Sequence, residues 1–324
     1  MSANAHKEKE PARKFYNYFG PQLERSLMAR MEAAGARIQY LTYNWRAQGG
    51  LEAMASRIIY DNRMVSSRPR DDISKEVLHI RRFLSTIAQN KEGSRVFVDL
   101  HGDSESQFGV SFRNNANANY IRELVARMFR YKLCKTLPTK TKPGQRASIL
   151  IVTNYNAQVS LIQEKLRELK LCEWVPALVR VVTHRAAMGD EADLVIVDMC
   201  RSQGLGHTAK RDMFAVNFTR AILGEVVVLN SDSFTGVGTS GWQCQALKDA
   251  YAHGERTQAI RKYRALDWVR NICPLCRDVH EGKKCRVRVV CGSCVESHHP
   301  RSCALATDGP RMAGSIPPGE VLRR

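Results

Sequence analysis

Near the middle of the chain, Ser148–Thr153 reads SILIVT, an unbroken apolar run bounded by one polar residue at each end. Runs of similar length and composition occur at Val96–Leu100, Leu194–Val197 and Glu225–Leu229, and a weaker run occurs at Val179–Val182. Short, nearly continuous runs of apolar and β-branched residues are typical of strands that are buried on both faces of a sheet. The five runs therefore predict the strands of one central sheet.

Two helical patterns lie between these strands. Ile121 to Met128 and Val159 to Leu169 each place apolar residues three or four positions apart, as in a helix with one buried face. Strands that alternate with helices predict an α/β fold with a mostly parallel sheet and helices on both faces. Around this region we expect three helices and one short strand, at Leu23–Ala34, Ala53–Tyr60, Val77–Ala88 and Arg37–Tyr43 respectively. This architecture alone does not indicate a function, because many unrelated proteins share it.

The charge of the chain indicates the class of its partner. The formal net charge is +18, and such an excess of cations suits a polyanion, most simply nucleic acid. Residues 1–21 are polar and lack the apolar core of a signal peptide. No apolar run approaches the roughly 20 residues that a membrane span requires. We therefore expect a cytoplasmic or nuclear protein with no membrane partner.

Five short segments of the chain resemble helicase motifs. They read NWRA (Asn44–Ala47), ASRIIY (Ala55–Tyr60), IVTNYNAQ (Ile151–Gln158), VTHRAAMGDEADLVIV (Val182–Val197) and VNFTRA (Val216–Ala221). In the same order they resemble QYRM, PSxxFY, IVTPYxxQ, TVDxFQGxExDIVI and VALTRA of superfamily 1B helicases. The resemblance covers residues 22–230 and is to the second RecA-like lobe of helicases of the nonsense-mediated-decay and senataxin type.

The resemblance implies roles for individual residues. In this family ATP lies between two RecA-like lobes, and the second lobe supplies arginines to the γ-phosphate, a task that suits the fixed charge and planar fork of arginine. Arg46 and Arg220 would be these arginine fingers. Gly189 would allow the backbone to approach the nucleotide closely, and Glu191 would lie near it. The side chains expected to contact the nucleic acid are Thr153, Tyr155 and Thr183.

The chain also departs from the family pattern. Arg185 and Met188 replace the Asp and Gln of TVDxFQG, and Ile222 replaces the second basic residue after VALTRA. The sequence contains no GxxxxGK[ST] loop, so nothing in it would cradle the phosphates of ATP. We therefore predict no ATPase activity for the chain alone. ATP and Mg²⁺ would bind only with a protein that supplies or replaces the first lobe.

A repeated set of cysteines and histidines follows the helicase-like region. Its members are Cys273, Cys276, His280 and Cys285, and then, with identical spacing, Cys291, Cys294, His298 and Cys303. Three thiolates and one imidazole form a closed tetrahedral set that suits structural zinc, so the repeat predicts two zinc ions. Each unit resembles a CCHC zinc knuckle, with His299 as an alternative to His298 in the second unit. A cross-braced arrangement, in which both units contribute to each ion, is the other possibility.

The organisation and function of the chain follow from these features. We predict a flexible segment at 1–21, the helicase-like domain at 22–232, a linker and a basic helix (Gln245–Trp268) at 233–272, tandem knuckles at 273–303 and a disordered tail at 304–324. Residues 256–303 carry eleven Lys or Arg against four acids, which suits single-stranded RNA or DNA. The predicted function is a nucleic-acid-binding second lobe of an ATP-dependent RNA or DNA helicase. The alternative is a non-catalytic, zinc-dependent adaptor that binds protein or RNA.

Overall fold

The computed structural model describes residues 25–67, 75–88, 93–102, 105–130, 147–169, 178–206, 211–235 and 242–264. The predictions for 1–21, for the zinc ligands Cys273 to Cys303 and for 304–324 lie outside these residues. The chain divides into two compact units, Met1–Thr42 and Tyr43–Arg324.

The first unit contains helix α1 (Leu27–Ala33), at the predicted place. Ser26 caps it, because its hydroxyl accepts a hydrogen bond from the Ala29 backbone N–H at 3.2 Å. The strand predicted at Arg37–Tyr43 is wrong except for its last residue. Tyr43 begins a two-residue strand that pairs with Val65, whereas residues 37–42 are irregular.

The second unit contains three β-sheets and seven helices within the described residues. In chain order its elements are β1 (Tyr43–Asn44), α2 (Glu52–Ile59), β2 (Val65–Ser66), α3 (Lys75–Leu84), β3 (Arg95–His101), β4 (Glu105–Phe108), β5 (Ser111–Asn114), α4 (Asn115–Arg130), β6 (Ile149–Thr153), α5 (Asn156–Arg167), β7 (Val179–Thr183), β8 (Ala192–Asp198), α6 (Arg211–Asn217), β9 (Ala221–Leu229), α7 (Asp232–Thr235), α8 (Trp242–Arg256) and β10 (Ile260–Arg264). Among these helices, none is long and apolar enough to cross a membrane.

The central sheet has six strands in the order β10-β3-β9-β8-β6-β7, and every neighbouring pair is parallel. The five predicted strands are all present in it. Thr153 of β6 lies level with both Thr183 of β7 and Asp198 of β8, so these three strands end together. The prediction of a mostly parallel α/β sheet is confirmed.

The sheet separates two apolar cores, because successive residues of a strand point to opposite faces. Ile149 and Ile151 pack on the side of α3, α4 and α5, whereas Leu150 and Val152 pack on the side of α2, α6 and α8. Gly224 of β9 permits one of these contacts, since an added Cβ would lie 2.4 Å from the side chain of Ile80 on α3. Helices therefore cover both faces, as predicted.

Two elements differ from the sequence prediction after β9. The linker predicted from residue 233 begins within the short helix α7. The helix predicted at Gln245–Trp268 ends at Arg256, and Gln258 takes a positive φ of 53° that turns the chain into β10. This strand pairs with β3 along its full length, so the sheet extends past residue 232.

A hairpin that the sequence did not predict follows β3. Strands β4 and β5 pair antiparallel, with Glu105 opposite Asn114 and Phe108 opposite Ser111. Glu105 lies against the loop after β8, since its carboxylate accepts a hydrogen bond from the Ser202 backbone N–H at 2.7 Å. The hairpin is therefore attached at the edge of the sheet where the parallel strands end.

Candidate nucleotide and nucleic-acid site

Arg46 occupies a fixed position directly after β1. The side-chain oxygen of Asn44 accepts hydrogen bonds from the backbone N–H groups of Arg46 and Ala47, at 3.0 and 2.9 Å, which holds the turn. The Arg46 guanidinium donates to Glu191 Oε2 at 2.7 Å and to the Thr219 carbonyl at 2.9 Å. Its side chain is 30% exposed, so the charge is oriented and still accessible.

Arg220, which directly precedes β9, is held beside it. Its guanidinium donates to the Val216 carbonyl at 3.1 Å, to Thr219 Oγ1 at 2.8 Å and to the Asp190 carbonyl at 3.4 Å. Burial lowers the pKa of Arg220, and repulsion from Arg46 lowers it further. Two guanidinium groups thus converge on Thr219, and their mutual repulsion favours an anion between them.

The loop from β7 to β8 forms the third side of this cluster. It is anchored by the completely buried Ala187, and Asp190 is held by Arg180 at 2.8 Å. Gly189 is exposed and has a positive φ of 86°, a backbone conformation that would strain any residue with a side chain. Apart from its two chain neighbours, none of the described residues lies within 4 Å of the place where a Cβ would stand. Glu191, half-exposed, ends the loop against Arg46. The four residues predicted for the nucleotide therefore lie together at the amino ends of β8 and β9.

The three residues predicted for nucleic acid lie at the opposite, carboxyl edge of the sheet. Thr183 is partly exposed. Thr153 is completely buried and Tyr155 is 5% exposed. Tyr155 packs edge-on against Phe112 of the β4–β5 hairpin, with ring centroids 5.4 Å apart. Direct contact of Thr153 and Tyr155 with nucleic acid, as implied by the resemblance, does not fit this burial.

A buried polar network lies directly beneath that edge. Asp198, at the end of β8, accepts hydrogen bonds from Asn117 Nδ2 and Gln158 Nε2, both at 2.7 Å, and from the Cys200 backbone N–H at 3.0 Å. Burial raises the pKa of Asp198 in spite of these donors. Because α4, α5 and β8 each contribute a member, the network fixes the carboxyl edge. Asp198 is closed to solvent and does not present an open position to Mg²⁺.

Arg201 connects the hairpin to this edge. Its guanidinium donates to Glu105 Oε1 at 2.8 Å and lies 3.8 Å from the centre of the Phe112 ring. Although burial raises the pKa of Glu105, hydrogen bonds from Arg201, Ser202 and Gln203 lower it to below its usual value. The sequence did not predict the pairing of Glu105 with Arg201, because these residues are distant in the chain and only the fold brings them together.

Within the described ranges, no group of three or more His, Cys, Asp or Glu side chains could hold a metal ion. The predicted zinc ligands lie beyond residue 264, where the description of the chain ends.

A known protein family matches the part of the chain that contains these residues. A family model described as AAA domain matches residues 23–232, which is more than half of the chain. The chain belongs to this family. The AAA domain is of the helicase type, so the coarse function is helicase-like and nucleic acid is the class of partner.

No curated protein matches the chain. Among solved structures, the C-terminal domain of a possible DNA helicase from Lactobacillus plantarum WCFS1 is similar at 13% identity, over 58% of this chain and 96% of that one, with a TM-score of 0.30.

Proposed function

We propose that this chain acts as the second ATPase lobe of an ATP-dependent nucleic-acid helicase. In this role it would place Arg46 and Arg220 against the γ-phosphate of an ATP whose other phosphates are held by a P-loop lobe. The observation that supports the proposal is the convergence of both guanidinium groups on Thr219, which is adjacent to Arg220 but 173 residues away from Arg46 in the chain.

The arrangement is suited to stabilising charge that develops during phosphoryl transfer. Glu191 and the Thr219 carbonyl hold Arg46 before any phosphate arrives, so little reorganisation is needed. The terminal phosphate would relieve the repulsion between Arg46 and Arg220. An arginine finger is worth about 10³–10⁵ in kcat in GTPases. The P-loop lobe would bring the Mg²⁺ ion and the remaining contacts to ATP.

We expect the chain alone to bind inorganic triphosphate weakly, too weakly to hold ATP without a P-loop lobe, and not to hydrolyse ATP. The arginine pair offers a phosphate contact, whereas the amides and lysine of a P-loop are missing from the sequence. Calorimetric titration with triphosphate would measure binding, and phosphate release with and without poly-U would measure turnover.

The matched variants for this experiment are Arg220→Ala and Arg63→Ala, which remove the same charge from two places. Arg63 is about half-exposed and lies 3.8 Å from Asp61, outside the cluster. Triphosphate binding should weaken in the first variant and persist in the second. Equal weakening in both would contradict a role for the arginine pair. Poly-U-stimulated hydrolysis that disappears in Arg220→Ala would contradict the need for a separate P-loop lobe.

We also expect weak binding of single-stranded nucleic acid, with little sequence preference and a steep dependence on salt. This expectation rests on the net charge of +18 together with the basic segment 256–303. Each neutralised phosphate releases counterions, so the logarithm of the affinity should fall linearly with the logarithm of the salt concentration. Fluorescence titrations with labelled poly-U and oligo-dT would measure both the slope and the preference between RNA and DNA.

A version that ends at Asp267 tests where this affinity resides. It retains β10, which ends at Arg264 and completes the sheet, but lacks both predicted knuckles. We expect its affinity to be more than tenfold lower than that of the full chain. If the shortened chain binds as tightly as the full one, the knuckles are not the nucleic-acid module, and a protein partner becomes their better explanation.

A further inference from the structure

The β4–β5 hairpin is a short arm with a fixed base. Its two-residue loop, Gly109–Val110, has a positive φ of 60° at Gly109 alone, as in a type II′ turn. At the base, Glu105 pairs with Arg201, and both side chains are largely buried. The backbone N–H of Asn114 donates to Gln158 Oε1 at 2.7 Å. The arm is therefore held in one orientation by the same network that fixes the carboxyl edge of the sheet.

The outer end of this arm carries exposed apolar groups beside a cation. Phe108 is 60% exposed and Val110 is 99% exposed. The alternation of strand residues puts Phe108 and Arg113 on one face of the hairpin, and Glu105 and Phe112 on the other. The Arg113 guanidinium lies 5.0 Å from the centre of the Phe108 ring. A flat ring with a neighbouring guanidinium matches a nucleotide, which offers a base to stack on and a phosphate to pair with.

We propose that Phe108 and Arg113 form a base-stacking platform for single-stranded nucleic acid, an inference that rests on the proposed function. The bases would stack on the Phe108 ring, and Arg113 would contact the adjoining phosphate. Thr153 and Tyr155 lie at the same edge but are buried. The platform would make the contact with nucleic acid in their place. It lies at the opposite edge of the sheet from the arginine pair, so nucleic acid and nucleotide occupy separate places.

The position of the hairpin also favours nucleic acid over a protein partner. Arg264, the last residue of β10, is level with His101 of β3, so β10 ends at the carboxyl edge of the sheet. The hairpin contacts the loop after β8, three strands away from β10. At about 4.8 Å per strand the separation is about 14 Å, a span of a few nucleotides. A single strand on the hairpin would therefore run along an edge at which β10, with three cations in five residues, also ends.

The test compares full-length Phe108→Ala with the wild-type chain on oligo-dT. Losing the ring should weaken binding by about 5- to 150-fold, the range expected for one stacked base. Phe108→Trp should retain the affinity, because tryptophan also stacks. The matched control is Leu78→Ala, which removes an exposed apolar side chain from α3 and should bind as the wild type does. Thermal unfolding of each variant would confirm that the fold is unchanged.

An abasic oligomer of the same length separates stacking from every other effect of the substitution. It keeps the phosphates and lacks the bases, so Phe108→Ala and the wild type should bind it equally. The inference is overturned if Phe108→Ala binds oligo-dT as the wild type does, or if it loses the same affinity for the abasic oligomer. If the wild-type chain binds no single strand at all, both this inference and the proposed nucleic-acid function fail. Loss of triphosphate binding with normal oligo-dT binding would instead contradict only the nucleotide role.

Discussion

Full-length chain purified without chelator is expected to contain two zinc ions, and Cys273→Ser combined with Cys285→Ser is expected to leave one. Both cysteines belong to the first unit of the repeat, so tandem knuckles would lose one complete site and keep the other. The expected effect is large, because the apparent binding free energy of a structural zinc site in a zinc-finger peptide is about 10–16 kcal/mol. Elemental analysis of the two proteins measures the number of ions directly.

The same double variant distinguishes tandem knuckles from a cross-braced pair. In a cross-braced arrangement the first and second halves of a unit serve different ions, so the double variant would lose both. Cys172→Ser is the control, since Cys172 lies far from the repeat in sequence and its loss should leave two ions. A wild-type chain that holds less than about one zinc ion would contradict the prediction as a whole. His298→Ala and His299→Ala, compared in the same way, would identify the histidine ligand of the second unit.

The central strands could be predicted because they are buried on both faces. Ile149–Thr153 and Ala192–Asp198 are buried at every position, which leaves an unbroken apolar signal in the sequence. Strand β10 lies at the edge of the sheet and reads IRKYR, with three cations in five residues. Such a composition fits an exposed helix equally well, so the strand was missed. Edge strands are weakly specified by local sequence, since only one side of them is paired.

Part of the candidate site could likewise be predicted from the sequence, and part could not. Arg46, Arg220, Gly189 and Glu191 were predicted because each stands within a short motif, and the fold brings them together. The burial of Tyr155 could not be predicted, because it depends on Phe112 of a hairpin that the local sequence did not signal. Asp198 likewise acquires its partners from positions 81 and 40 residues away. Contacts at such separations depend on the completed sheet and leave no local pattern.

Glu225→Ala is expected to destabilise the chain by about 3–5 kcal/mol, because it leaves a charge without its partner in the interior. Glu225 is completely buried on β9 and lies directly opposite Arg95 on β3, with which it forms an ion pair. The Arg95 guanidinium also donates to the Leu51 carbonyl at 3.1 Å, so it links the start of α2 to the sheet. Without the carboxylate this cation, only 11% exposed, would lose its counter-charge. Urea unfolding of the variant and the wild type would measure the difference.

Removing both charges should cost much less than removing one. Burial raises the pKa of Glu225 although Arg95 lowers it, so desolvation outweighs the attraction within the pair. The second carboxylate oxygen, Oε1, is also buried and has no hydrogen-bond partner among the residues that the structure describes. We therefore expect Arg95→Leu combined with Glu225→Leu to be clearly more stable than Glu225→Ala. Asp61→Ala is the control for a surface pair and should change stability by less than about 1 kcal/mol. A Glu225→Ala chain within about 1 kcal/mol of the wild type would show that solvent or another group compensates Arg95.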